Sequence, residues 1–196
     1  MFVCSQLPLQ PSDIPIIVAP LGASAVLVFA VPASPLAQPW PVVGGNILST
    51  LVGVAAFQVI PNEMLVAGLA VGGAILVMSF LRCLHPPGGA AALTAVIGGH
   101  GVHAAGYTFA FVPVGINSIA LVSLAMFFHR MSGHSYPHHP AAAPEIIDAV
   151  RQSAGFHLQD IDRALAELPD SFDISREDLD LLLSTAELHA LKRQGT

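Results

Sequence analysis

Hydrophobic residues run in long uncharged blocks, residues 14–62, 64–81 and 83–129, interrupted only by Glu63, Arg82 and Arg130. Within these blocks, apolar segments fall at 14–31, 42–60, 65–81 and 106–128, with 83–99 as a fifth, proline-headed segment. At about 1.5 Å of rise per residue, a helix of about 19 residues reaches about 28 Å, enough to cross the hydrocarbon of a bilayer. The pattern predicts an all-α, polytopic membrane helix bundle. Pro32-Ala33-Ser34-Pro35 and Gln38-Pro39-Trp40-Pro41 form a connector in which Trp40 suits the membrane–water interface, and Pro61-Asn62-Glu63 reverses the chain.

From Pro137 the pattern becomes that of a soluble segment. Short helices are expected at 145–153 and 158–168. A last helix should start at Ser175, with Glu177 and Asp178 in its first turn, and end at Lys192-Arg193 before Gly195. The expected organisation is an amino-terminal segment 1–13, a transmembrane domain 14–131, a linker 132–144 and a small helical cytoplasmic tail 145–196. About 50 residues support only a small core, so the tail should pack on another element.

Charge sharpens this division. Residues 1–130 carry two acids and two bases, whereas 131–196 carry eleven acids and five bases, so the net charge of −6 resides in the tail. With no basic patch there, nucleic acid and anionic lipid headgroups are poor candidate partners for the tail. Cys4 and Cys83 read as free thiols, and residues 1–12 have neither Lys nor Arg to begin a secretory signal. Arg82 and Arg130 end two apolar segments, and the positive-inside rule puts both in the cytoplasm. That requires 83–99 to cross rather than dip and return, giving five crossings with the amino terminus outside and the tail inside.

The most informative cluster is Leu84-His85-Pro86-Pro87-Gly88-Gly89, because proline removes a backbone donor and fixes φ, while glycine lets backbones approach closely. Broken backbone survives in hydrocarbon only when it is buried in protein or lines a cavity. A matching run starts at Pro20-Leu21-Gly22-Ala23-Ser24, and each run is followed by a second similar pair, Pro41 to Asn46 and Pro113 to Asn117. The copies start three crossings apart, which implies an inverted repeat of the secondary-transporter kind, lacking one first helix of a three-plus-three design.

Helix starts after Pro87 and Pro20 would offer unpartnered N–H groups and the positive end of the helix dipole to a small anion, without a buried Lys or Arg. The candidate substrate-binding residues are therefore Gly22, Ala23, Gly88 and Gly89 as backbone donors, Ser24 as a hydroxyl donor and His85 as donor or proton carrier. Asn46 and Asn117 are candidates to line the pathway, and Pro20, Pro86 and Pro87 are the structural motif. The alternatives are a neutral His85 tied to a carbonyl, and asparagines engaged in interhelical hydrogen bonds. Gly44, Gly45, Gly72 and Gly73 read as close helix contacts. His129, His134, His138 and His139 lack companion ligands and regular geometry, and Asp170, Asp173, Glu177 and Asp178 fail the calcium-loop pattern, so no metal is expected. Neither a nucleophile–base spacing nor a nucleotide fingerprint is visible, so no enzyme and no cofactor are expected.

Residues 20–137 resemble the HPP family of integral membrane proteins through Gly22-Ala23-Ser24-Ala25, Pro35-Leu36-Ala37-Gln38-Pro39, Gly45-Asn46, Met78 and His85-Pro86-Pro87-Gly88-Gly89-Ala90. The resemblance implies a transporter. Plastid and cyanobacterial relatives are implicated in nitrite transport, which makes a small anion, nitrite, the implied substrate. Residues 156–191 are similar to the linker that precedes paired CBS domains in bacterial members, and the expectation is that such domains are absent here. The resulting expectation is a multi-pass protein of the bacterial inner membrane that carries a small anion, with the lipid bilayer as its surroundings. A homo-oligomer or a separate CBS-type regulatory protein is the expected partner. The alternative is a non-transporting module, or a truncated fragment, whose acidic tail docks a regulatory partner.

Overall fold

The computed structural model describes residues 14–139, 158–167 and 174–194, and no strand occurs among them. The chain divides into two compact units at His138/His139. The first contains α1 (Ile14–Ala30), a 3-10 turn (Pro35–Ala37), α2 (Pro39–Val59), α3 (Glu63–Phe80), α4 (Pro86–Ile97), the short α5 (His100–Ala105), a wide turn (Ala110–Gly115) and α6 (Ile116–Ser132). Pro39–Val59 and Ala110–Ser132 are long and apolar enough to cross a membrane, and α1, α3 and α4 are shorter apolar helices.

Side chains facing outward from this unit are large and apolar, among them Val26, Leu65, Leu69, Leu76, Phe80, Phe111, Leu124 and Phe127, as hydrocarbon surroundings require. With lipid outside, burying apolar surface gives little preference for helix against helix, and close packing of small residues holds the helices instead. A methyl group on Gly53 would overlap the Ala92 carbonyl and press on Ala95, so α2 and α4 touch backbone to backbone. Gly45 meets the Cβ of His85 and the Cys83 carbonyl in the same way, and Gly88 meets Ser49 and Met78.

These contacts fix the direction of each helix. Trp40 Nε1 donates to the Leu81 carbonyl at 3.2 Å, so α2 begins where α3 ends. Val66 of α3 clusters with Val96 of α4 and with Ala56 and Ile60 of α2 at the opposite end. Helix α4 therefore runs parallel to α2 and antiparallel to α3. His129 Nε2 donates to the Val28 carbonyl at 2.9 Å, and the Tyr136 hydroxyl donates to the Ala37 carbonyl at 2.8 Å. The end of α6 thus returns to the end of the bundle that holds Arg82. The 12 residues of α4 rise about 18 Å, less than a full hydrocarbon thickness, and α5 follows after Gly98-Gly99.

Two local features depart from the sequence expectation. The segment expected as one helix over 106–128 opens with Gly106 at φ +51°, continues through a turn that leaves helical geometry at Val112, and becomes regular helix only at Ile116. Pro113 supplies no donor there. The helix expected to start after Pro20 instead continues through it, because α1 already begins at Ile14. Pro20 also sits where Ser24 Oγ can bond its carbonyl at 3.1 Å.

In the second unit, α7 (Leu158–Glu167) and α8 (Arg176–Gln194) are joined by an Arg176–Asp162 ion pair. Ser175 caps α8 as its sequence implied: Asp178 N–H donates to Ser175 Oγ at 3.1 Å, and the hydroxyl donates to Asp178 Oδ2 at 2.6 Å. The helix expected at 145–153 lies outside the described residues.

Candidate functional site

Four helices and one connector bring a chain of polar side chains into the middle of the first unit. His85, the residue before α4, has an extended backbone and turns its imidazole inward, fully buried. Its Nδ1 lies 2.9 Å from the Leu36 carbonyl. A carbonyl only accepts, so the ring carries its proton on Nδ1 and leaves Nε2 as an acceptor when neutral. Nε2 lies 2.8 Å from Ser24 Oγ of α1. Asn46 of α2 then donates through Nδ2 to Ser24 Oγ at 3.3 Å and to Ser118 Oγ of α6 at 3.2 Å. The sequence of contacts is Leu36, His85, Ser24, Asn46, Ser118.

The four polar side chains in that sequence are buried, Ser24, His85 and Ser118 completely and Asn46 to 1 % exposure. Asn46 Oδ1 and Ser49 Oγ have no protein partner among the described residues. Asn46 also borders a void of about 10 Å³ that Pro20, Leu21, Ala91, Thr94, Phe109 and Val114 complete. That is close to the smallest volume that holds one water molecule. A solute larger than water does not fit that void without movement of the side chains around it.

The backbone donors expected at the start of α4 are mostly absent. Pro86 and Pro87 have no N–H, and the Gly88 N–H is spent on the His85 carbonyl at 2.8 Å. Gly88 is buried and packs tightly, while Gly89 and Pro86 face a lateral apolar groove of about 600 Å³ beside Val71, Ile75 and Leu93. Gly22 and Ala23 lie within α1 on its exposed side, away from Ser24. Asn117 is half-buried, and it is its neighbour Ser118 that reaches Asn46. Of the residues expected at the site, the structure therefore joins Ser24, Asn46 and His85 in one network and leaves the glycines and Ala23 outside it.

Residues 1–137 match the family described as HPP, transmembrane region. The chain belongs to the HPP family. Two transmembrane proteins of Dictyostelium discoideum are similar to it, one 37% identical over 127 residues and the other 38% identical over 115 residues. These alignments cover 62% and 57% of this chain and 44% and 37% of the relatives, so the chain spans less than half the length of either curated relative. No solved structure matches.

Within this HPP bundle, the His85-Pro86-Pro87 run has a clear local purpose. The histidine precedes the helix, and the two prolines occupy its first positions, where their fixed φ suits the helix and their missing donors need no partner. Sequence reasoning placed the histidine, the serine and one asparagine. It missed Ser118, one residue from an expected position, and the Leu36 carbonyl, which carries no side-chain signal. The serine–histidine contact also lay beyond it, because the two residues are 61 apart in the chain.

Proposed function

We propose that this HPP protein carries a small anion, nitrite, across the membrane through the Ser24, Asn46, His85 and Ser118 cluster. The observation that supports the reading is a buried polar network at the meeting of α1, α2, α4 and α6, in a bundle whose exterior is apolar. Hydroxyl, amide and imidazole donors in such a place can replace part of an anion's hydration shell. The resemblance to plastid and cyanobacterial relatives supplies the choice of nitrite. The void beside Asn46 is too small for the anion, so binding requires the helices around Asn46 to part.

A bacterial inner membrane, with Arg82, Arg130 and the acidic tail in the cytoplasm, completes the reading, and the tail is the place for a homo-oligomeric or CBS-type regulatory contact. We read the Ser24–His85 pair as serving solute binding rather than as a nucleophile with its base, because the His85 Nδ1 partner is a backbone carbonyl and not a carboxylate. The test is nitrite uptake by liposomes containing the purified chain, compared with nitrate, formate and chloride and with protein-free vesicles. Uptake above the protein-free rate is expected. A folded, monodisperse protein that moves none of these anions overturns the proposal in favour of a non-transporting module.

A further inference from the structure

An anion in this cluster needs a positive partner, and the surroundings provide one candidate. Arg82 and Arg130 are exposed at one end of the bundle, and at the start of α4 Pro86 and Pro87 have no N–H while the Gly88 N–H is spent on the His85 carbonyl. The imidazole bonds the Ser24 hydroxyl from α1 and the Leu36 carbonyl from the connector, the His85 Cβ lies against Gly45 of α2, and Asn46 of α2 and Met78 of α3 stand one contact further out, on Ser24 and Gly45 respectively. Cys83, buried two residues before it, is the other titratable side chain nearby. None of these is a cation.

Ser24 Oγ has two acceptors within reach, His85 Nε2 at 2.8 Å and the Pro20 carbonyl at 3.1 Å. With a neutral ring, the hydroxyl donates to Nε2. With a protonated ring, Nε2–H donates to Ser24 Oγ and the hydroxyl turns to Pro20, while Asn46 Nδ2 continues to donate to the same oxygen. Nδ1–H keeps the Leu36 carbonyl in both states. The cluster therefore accepts a proton by rotating one hydroxyl, with no donor stranded and no helix repacked.

We propose that His85 takes up a proton together with the anion, so that the chain carries nitrite and H⁺ as an electroneutral pair, with Ser24 as the positioning residue that exchanges His85 for Pro20. This rests on the anion-carrier reading above. No covalent bond changes; Nε2 gains the proton on one side and releases it on the other.

The experiment measures initial nitrite uptake into liposomes holding the purified full chain, above protein-free vesicles, under a pH gradient and, separately, under an imposed membrane voltage. An inward proton gradient should drive accumulation of up to about tenfold per pH unit, and voltage should leave the rate unchanged. Uptake that follows voltage and ignores the pH gradient overturns proton coupling and leaves anion transport standing. No nitrite uptake under either condition overturns the carrier reading itself. His85→Gln, checked for a monodisperse elution profile, should lose the gradient-driven component. Where that variant does not fold, Ser24→Ala decides: it should shift the pH profile of uptake, and an unchanged profile overturns the relay.

Discussion

Asn46 and Ser118, 72 residues apart, meet through a 3.2 Å hydrogen bond between α2 and α6. The same amide nitrogen reaches Ser24 of α1, so one side chain ties three helices. Replacing Asn46 by Leu leaves the Ser24 and Ser118 hydroxyls with fewer partners and adds branched bulk in a packed layer. A loss of about 1–3 kcal/mol is expected, read as a lower midpoint in thermal unfolding in detergent. Ser118→Ala removes only one of the two bonds and should lower the midpoint by less. Equal midpoints for both variants and the parent chain would show that the network does not hold the helices.

Glycines that look alike in sequence should respond differently to alanine. At Gly53 a methyl group runs into the Ala92 backbone, whereas at Gly72 it meets nothing within 4 Å. Gly53→Ala should separate α2 from α4 and destabilise by about 1–3 kcal/mol. Gly72→Ala should leave the unfolding midpoint unchanged or raise it. The same comparison bears on Gly88, whose added Cβ would lie 2.7 Å from Ser49 Oγ. Loss of transport in Gly88→Leu therefore reports packing, and His85 and Ser24 are the sharper probes.

Tyr136 lies beyond α6 and is buried, and this burial pushes its phenol up to about 12 from 10.0. An acid whose pKa is raised by folding favours the neutral form in the fold, so its contribution is complete below pH 10 and declines as pH rises from about 10 to about 12. A pH series of unfolding midpoints should fall across that window in the parent chain. Tyr136→Phe should flatten this fall and lower the midpoint at neutral pH, because the buried Ala37 carbonyl loses its donor.

The helix directions place Arg82 and Arg130 at one end of the bundle. Single cysteines at these two exposed positions, in a background without Cys4 and Cys83, should react with a membrane-impermeant maleimide from the same side. A cysteine at the exposed His100 should react from the other. Labelling of positions 82 and 130 from opposite sides would mean that α4 enters and leaves by one face.

Much of the bundle was legible because hydrocarbon imposes a simple demand: apolar runs of sufficient length, punctuated by prolines, glycines and charges, map directly onto α1, α2 and α3. The end of α3 was less legible than its start. Asn62 accepts from Leu65 N–H as a cap should, but the stop uses Arg82 at φ +52°, with Cys83 N–H bonded to the Met78 carbonyl at 2.9 Å. Glycine is the usual residue in that position, so the sequence carried no signal for it. The site was half legible for a related reason. Polar residues in apolar segments announced Ser24, Asn46 and His85, but their mutual contacts are set by tertiary packing, and backbone groups such as the Leu36 carbonyl leave no mark in the sequence.

The paired prolines at the head of α4 have a mechanical consequence. A helix that shifts inside a membrane ordinarily drags exposed N–H groups through a medium that cannot solvate them. Helix α4 begins with two residues that have none, and the third is closed by its own His85 carbonyl. This end of the helix is self-insulated: it lies at membrane depth with few bare donors to hide, although no side chain caps it.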